Sequence, residues 1–292
     1  MAERLSGKVA LITGAARGQG RSHALSLARE GADIIAVDLC DAVPTITGYP
    51  PSTRADLAET ACLIEQLDRR VVTCVADVRE RATMSEVVRE AVGGLGRLDV
   101  VVANAGVVSM SKDVGVQAFL DTLSINFGGV LNTLDAAWPH LRSGASVIAV
   151  GSMAAMMGTG GIGASPDAPV AAAAYSESKR SIARLVHYLA IAAGRDNIRV
   201  NAVHPGNVAT PMFLNEDLYR AFRPDLPNPT QEDAMCASLQ MHVLPVPMMD
   251  PQDISNAVVF LASDEARYVT GLQMSVDAGG RLRTGPSGAP IS

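Results

Sequence analysis

Apolar residues run along this chain in two alternating rhythms. Short, nearly unbroken apolar runs recur at 9–12, 32–38, 71–76, 98–103, 146–150, 199–203 and 272–276. Between them lie stretches whose apolar positions fall three and four apart, the spacing of one helix face. The first of these carries His23, Ala24, Leu27 and Ala28 and closes at Gly31, and the second carries Leu57, Ala61, Ile64 and Leu67. Further helical patterns cover about 80–92, 116–141, 175–193 and 252–262. Thr53-x-x-Asp56 reads as a helix start, because the threonine side chain can accept the backbone N–H three residues on. Strands alternating with helices throughout predict an α/β fold of the Rossmann type, with helices on both faces of a doubly wound parallel sheet.

Composition narrows this picture. Hydrophobic residues make up 48% and aromatics 4%, so the core is aliphatic and alanine-rich, which suits a buried parallel sheet. No low-complexity linker or internal repeat divides the 292 residues, which read as a single domain, 1–292. It carries three embellishments: an insertion at 39–53, a proline- and methionine-rich segment at 207–251 that reads as loose, and an extended arm at 281–292. A net charge of −6 without a basic cluster argues against nucleic acid or an anionic membrane as partner. Cys40, Cys62, Cys74 and Cys236 show no paired spacing, so free thiols in a reducing compartment are expected. The five histidines share no metal-binding spacing and read as packing or surface residues, and no metal is expected. No apolar run reaches membrane-span length. The first strand begins by Val9, leaving no room for a signal-peptide core, and the chain reads as cytoplasmic.

The first candidate chemistry lies between the first two strands. A turn reading Thr13-Gly14-x-x-x-Gly18-x-Gly20, with Arg17 and Gln19 inside it, joins the first strand to the first helix, and the second strand ends on Asp38. Glycines let a backbone turn tightly and approach a pyrophosphate, while the helix N-terminus faces the phosphates. Asp38 stands where a carboxylate accepts the ribose hydroxyls of a dinucleotide. The second candidate is Tyr175-x-x-x-Lys179, a phenol and an ammonium one helical turn apart on one face. A tyrosine ordinarily titrates near 10, and a nearby cation lowers that toward the range useful for proton transfer.

Taken in order, Thr13–Gly20, Asn104-Ala105-Gly106, Asn126, Ser152 and Tyr175-x-x-x-Lys179 resemble the pattern of the short-chain dehydrogenase/reductase family over nearly the entire chain. The resemblance implies a tetrad: Tyr175 as general acid/base, Ser152 holding the substrate oxygen, Lys179 on the ribose and the tyrosine, and Asn126 positioning a proton-relay water. It implies that Gly14, Arg17, Gly18, Gln19, Gly20, Asp38, Leu39, Asp77, Val78, Asn104, Ala105 and Gly106 bind the cofactor. Tyr175, Lys179, Pro205, Gly206, Val208 and Thr210 complete that site, the last four around the nicotinamide amide. Two departures stand out: Gly151 precedes Ser152 where the family often has a second serine, and the interval from Ser152 to Tyr175 is longer than usual.

Between NAD and NADP, two residues pull in opposite directions. Arg17 could pair with a 2′-phosphate, whereas Asp38 would repel it, and Leu39, Cys40 and Asp41 offer that phosphate nothing. NAD is the expected cofactor. Met212, Met235, Met241, Met248 and Met249 fall in the segment over the substrate, where they read either as gap fillers or as an apolar lid. Family resemblance further implies a homotetramer, or less often a dimer.

The insertion is far longer than the usual two to six residues of such a connection. It, the Asp56-Leu-Ala-Glu-Thr60 helix start and the Ala76-Asp77-Val78 run are similar to the carveol-dehydrogenase-like, mycofactocin-coupled subgroup of that family. That likeness implies a cyclic terpenoid-like alcohol or ketone, a loop folded over NAD that does not exchange, and a mycofactocin-type redox partner. The alternatives are a solvent-facing decoration or a subunit contact at the insertion, an ordinary alcohol dehydrogenase with exchangeable NAD, or a non-catalytic nucleotide-binding regulator.

Overall fold

The computed structural model describes residues 3–110, 115–157 and 170–283. Among the described residues seven strands form one all-parallel sheet: β1 (Val9–Thr13), β2 (Asp33–Asp38), β3 (Val71–Val75), β4 (Leu98–Ala103), β5 (Leu141–Val150), β6 (Arg199–Pro205) and β7 (Gln273–Val276). Their order is β3-β2-β1-β4-β5-β6-β7, so the direction of winding reverses between β1 and β4. In such a sheet the crevice for ligands opens there, outside the carboxyl ends of the strands.

Period-two alternation sorts the apolar strand residues into two cores. Leu11, Ile35, Val37, Val101, Val147 and Val200 face α3 (Arg81–Leu95), α5 (Gly129–Ala137) and α6 (Val170–Ala193). Ala10, Ile12, Ile34, Val100, Ile148 and Val203 face α1 (Gly18–Arg29), α2 (Arg54–Glu65) and α9 (Pro251–Ala262). Both faces are covered, which is why the strands read as continuous apolar runs. The remaining helices are α4 (Gly115–Leu123), α7 (Glu216–Phe222) and α8 (Gln231–Met241). Among the described residues no helix is long and apolar enough to cross a membrane.

The structure corrects several sequence expectations. The pattern at 116–141 is not one helix: α4 passes into a π-helical turn, Ser124–Gly128, before α5, and a 3₁₀ turn at Trp138–His140 leads into β5 by Leu141. Pro139, without an N–H to donate, sits where the helix ends. The segment 207–251 is not loose, since it holds α7, capped by Asn215, and α8, started by a capping box of Thr230 and Asp233. α6 begins at Val170, ahead of Tyr175. The expected arm begins with a 3₁₀ turn, Gly280–Leu282, and its remainder from 284 lies outside the described residues, as does 158–169 of the long interval before Tyr175.

Candidate functional site

A cavity of about 530 Å³ opens at the carboxyl edge of the sheet. Every residue assigned to the cofactor from the sequence lines it, as do Ser152, Tyr175 and Lys179. The Gly-rich turn after β1 forms its floor. Gly14 and Gly18 have φ of +69° and +55°, conformations that favour glycine. A Cβ on Gly20 would overlap the Gly14 carbonyl oxygen, so only glycine lets α1 start this close to the strand end. Asn104, at the end of β4, fastens the turn by donating its side-chain amide to the Thr13 carbonyl at 2.9 Å. Its amide is therefore engaged in shaping the floor. Arg17 at the start of α1 makes no side-chain capping bond, and the Gln19 Oε1 is buried without a hydrogen-bond partner. A cradle with glycine at each close approach and a helix N-terminus fits a pyrophosphate-bearing ligand.

Asp38, 8% exposed, ends β2. Its Oδ2 accepts the Ala16 N–H at 2.9 Å, and its Oδ1 accepts the Ser52 hydroxyl at 2.6 Å and the Cys40 N–H at 3.1 Å. Two of these contacts come from the insertion, which turns its side chains inward. Asp41, Val43, Ile46, Tyr49, Pro51 and Ser52 all line the cavity. Arg17 donates to the Pro50 carbonyl, and its guanidinium lies 6.0 Å from the centre of the Tyr49 ring. The Tyr49 hydroxyl accepts the Val108 N–H at 3.2 Å, and burial pushes its pKa up to about 12. Thr45 donates to Asp121 at 2.7 Å, and its carbonyl accepts the Ser109 hydroxyl at 3.2 Å. The insertion thus spans from the Gly-rich turn to the strand β4 exit and to α4. A solvent-facing decoration does not describe it.

Asp77 is held by Arg79, whose guanidinium approaches to 2.6 Å and which also faces Asp121. Burial works to raise the Asp77 pKa, but the Arg79 hydrogen bonds outweigh it and hold the carboxyl below its usual range. Val78 packs directly on Gly129, where a Cβ would come to 2.5 Å of its Cγ2.

The four residues assigned to the chemistry meet where β4, β5 and α6 converge. Lys179 is 4% exposed and donates to the Val150 carbonyl at 2.8 Å, with its Nζ 5.6 Å from the Tyr175 ring centre. Burial pulls its pKa down to about 8. Burial also raises the Tyr175 pKa, while the neighbouring Ser152 hydroxyl acts in the opposite direction. The expected lowering of the phenol by Lys179 is therefore not the balance struck here, because desolvation dominates and the ammonium is turned to a backbone carbonyl. Asn126 is fully buried in the π-helical turn, outside the cavity lining. Its Oδ1 accepts the Val107 N–H at 2.7 Å and its Nδ2 donates to the Val107 carbonyl at 2.9 Å and to Ser178 Oγ at 3.3 Å.

Residues 205–222 and α8 close the far side. Thr210 packs on Gly18, so this segment touches the Gly-rich turn. Met212, Phe213, Leu218, Phe222 and Met241 give that side an apolar lining, joined by Met153 and Met157 from beyond Ser152. Of the five methionines expected near the substrate, Met212 and Met241 line the cavity, whereas Met249 packs in the core beside β6. Sequence reasoning expected a loop folded over the cofactor without naming Asp41, Val43, Pro51 or Ser52 on its inward face, and it read His204 only as a packing or surface residue. That histidine is wholly buried against Gly151 and Ser152. The unexplained glycine at 151 was the signal that could have found it. Among the described residues no cluster of histidine, cysteine and carboxylate side chains could hold a metal ion.

Comparison with known proteins places this geometry. Residues 14–280 match the family model described as enoyl-(acyl carrier protein) reductase. The chain is 43% identical over 286 residues to (−)-trans-carveol dehydrogenase of Rhodococcus erythropolis, covering 96% of this chain and 99% of the relative. Carveol dehydrogenase from Mycobacterium avium, solved in complex with NAD, superposes with a TM-score of 0.88 at 45% identity, over 96% of this chain and 99% of that one. A short chain dehydrogenase from Mycobacterium paratuberculosis bound to NAD superposes with a TM-score of 0.83 at 38% identity, over 96% and 99% of the two chains.

Proposed function

Since the chain belongs to the short-chain dehydrogenase/reductase family, we propose that it is an NAD-dependent oxidoreductase interconverting a secondary alcohol and its ketone. One observation carries the reading. Ser152, Tyr175 and Lys179 line the same cavity as the Gly-rich turn and Asp38, the two sets lying along one edge of the sheet. The NAD complexes of the M. avium and M. paratuberculosis proteins support the choice of cofactor. So does the local chemistry: Asp38 lines the cavity with a carboxylate that would repel a 2′-phosphate, and Arg17, which could greet one, is engaged by Pro50 and Tyr49.

Bound NAD supplies the acceptor or donor of the hydride that leaves or joins the alcohol carbon. Tyr175 moves the matching proton: its phenolate takes the hydroxyl proton as the alcohol is oxidised, and its phenol returns it on reduction. Ser152 holds the substrate oxygen by hydrogen bond. Lys179 favours the phenolate by its charge and fixes the β5 exit through the Val150 carbonyl. Asn126 ties the 107 backbone to Ser178 and, through it, to the start of the Tyr175 turn, and serves a proton relay on that path.

The substrate we propose is a compact cyclic terpenoid-like alcohol or ketone, supported by the apolar lining of Met153, Met157, Met212, Phe213, Phe222 and Met241 and by the carveol dehydrogenase relative. We read the insertion as a roof that retains NAD, with electrons passing to a separate redox partner of the mycofactocin type. Tyr175→Phe tests the core of this reading. It should lower turnover by about 10²–10⁴-fold, the scale of positioned acid–base catalysis, while NAD titration by fluorescence stays unchanged. Near-normal turnover would sink the assignment.

A further inference from the structure

His204 is a buried titratable group that this reaction leaves unused, and its Nδ1 edge lies against Ser152. It stands in β6, between β5, which delivers Ser152, and β7. Its Nδ1 lies 3.2 Å from the Ser152 nitrogen and 3.0 Å from the Ser152 oxygen, and its Nε2 lies 2.7 Å from Gln273 Oε1. The Gln273 amide is oriented from its other end, where Nε2 donates to the Ala183 carbonyl at 3.0 Å. Ala183 belongs to α6, one turn beyond Lys179, which itself ties the helix to Val150 of β5. A continuous chain of hydrogen bonds therefore runs from the helix bearing Tyr175, through β7 and β6, to the backbone of the serine opposite that tyrosine.

The chain dictates a tautomer. With Gln273 Nε2 committed to Ala183, its Oε1 can only accept, so His204 Nε2 carries the proton. The neutral ring then presents the Nδ1 lone pair to the Ser152 N–H. A protonated ring would instead donate from Nδ1 to the Ser152 carbonyl and strip that N–H of its acceptor. Burial disfavours the charged ring, as does Lys179 from α6, against the opposing pulls of Gln273, the Ser152 backbone and Asp277 beyond β7. The same ring explains Gly151. A Cβ there would overlap His204 Nδ1 and Cε1 and stand 3.2 Å from Cγ, so the imidazole fills the space a side chain at 151 would take.

We infer that His204, held as its Nε2–H tautomer by Gln273, is a positioning residue that sets Ser152 against Tyr175, and that Gly151 is the vacancy the ring requires. The inference rests on the role assigned above to Ser152. Gln273→Leu removes the tautomer lock without touching the Gly151–His204 contact, so a purely space-filling ring would not notice it. It should lower kcat about 10- to 100-fold, the scale of a small misplacement of catalytic groups, with NAD affinity unchanged. Gln273→Glu, whose carboxylate favours the protonated ring and has no N–H for the Ala183 carbonyl, should be impaired as well. Gly151→Ser should impair the native protein more than it impairs the His204→Ala background, a coupling expected only between residues competing for one space.

Nitrogen-15 spectra of the labelled imidazole read the tautomer whether or not a substrate is known. A protonated Nε2 and a bare Nδ1, unchanged from pH 6 to 9, are expected in the wild type, and loss of that pattern in Gln273→Leu. A ring protonated at Nδ1, a ring titrating near 6.5, or wild-type kcat in a folded Gln273→Leu protein would overturn the inference. Absence of alcohol oxidation in the wild type, with the expected spectra, would instead count against the proposed reaction and leave the tautomer assignment standing.

Discussion

Lys179 shows how a site can hold charge at a cost. Its folded-state pKa of about 8 lies below the ordinary value of 10.5, so at neutral pH the fold confines an ammonium that water would hold more readily. Between pH 8 and about 10.5 the unfolded chain keeps that proton while the folded protein sheds it, and stability from this group rises with pH in that window. Comparing thermal midpoints of wild type and Lys179→Met from pH 7 to 10 should show the wild type gaining relative to the variant; a constant difference would refute the burial argument. Tyr175 has the opposite displacement, raised by burial. Alcohol oxidation needs its phenolate, so kcat for oxidation should climb as pH rises from 7 toward 9, while ketone reduction, needing the phenol, should not. A flat oxidation profile would separate proton transfer from the rate-limiting step. Both side chains were legible as a motif, but their balance was not, because desolvation depends on what the fold packs around them.

Helices tell a similar story about what sequence can carry. Thr53-x-x-Asp56 was readable as a helix start, and the structure has the reciprocal capping box there. Thr230-x-x-Asp233 is the same signal with the same outcome, yet it was hidden by Pro224, Pro227 and Pro229 just before it. Prolines mark turns, but nothing prevents a helix from beginning immediately after one. The π-helical turn at Asn126 was beyond reach, since a single π turn inside a helix carries no residue signature of its own. α8 is more than a spacer: Asn207 donates to its Ser238 at 2.7 Å, and its last residue, Met241, lines the cavity. Thr230→Ala should therefore cost about 1 kcal/mol of stability through the lost cap and raise KM for the alcohol more than it lowers kcat. Unchanged KM with the stability loss present would mean that α8 does not shape the substrate side.

At the scale of the whole molecule, two surfaces remain to be matched with partners, one outside and one inside. Outside, Val116 and Leu120 on α4, Leu131 on α5, and Tyr188 and Ile191 on α6 are exposed apolar residues, with Ile191 68% accessible. These exposed residues could serve as contacts in the homotetramer that the family resemblance implies, and a monomer by light scattering at micromolar concentration would refute that expectation. Inside, the insertion is tied across the cavity at several points: Ser52 on Asp38, Pro50 and Tyr49 on Arg17, Tyr49 on the Val108 N–H, and Thr45 on Asp121 and Ser109. Pro44, Pro50 and Pro51 restrict the same loop, which reduces the entropy lost in ordering it. A loop so tied must detach at several points before a dinucleotide beneath it can leave, and release should be slow for that reason. Protein purified without added cofactor should then retain NAD through dialysis and yield it only on denaturation. It should oxidise an alcohol at the expense of an artificial electron acceptor while turning over poorly on free NAD. Removing residues 41–51, or losing the Tyr49 contacts to Val108 and Arg17 with Tyr49→Ala, should restore exchange with external NAD. Protein that purifies empty and cycles freely on added NAD would show that these anchors break faster than turnover, making the enzyme an ordinary alcohol dehydrogenase whose insertion shapes the site without sealing it.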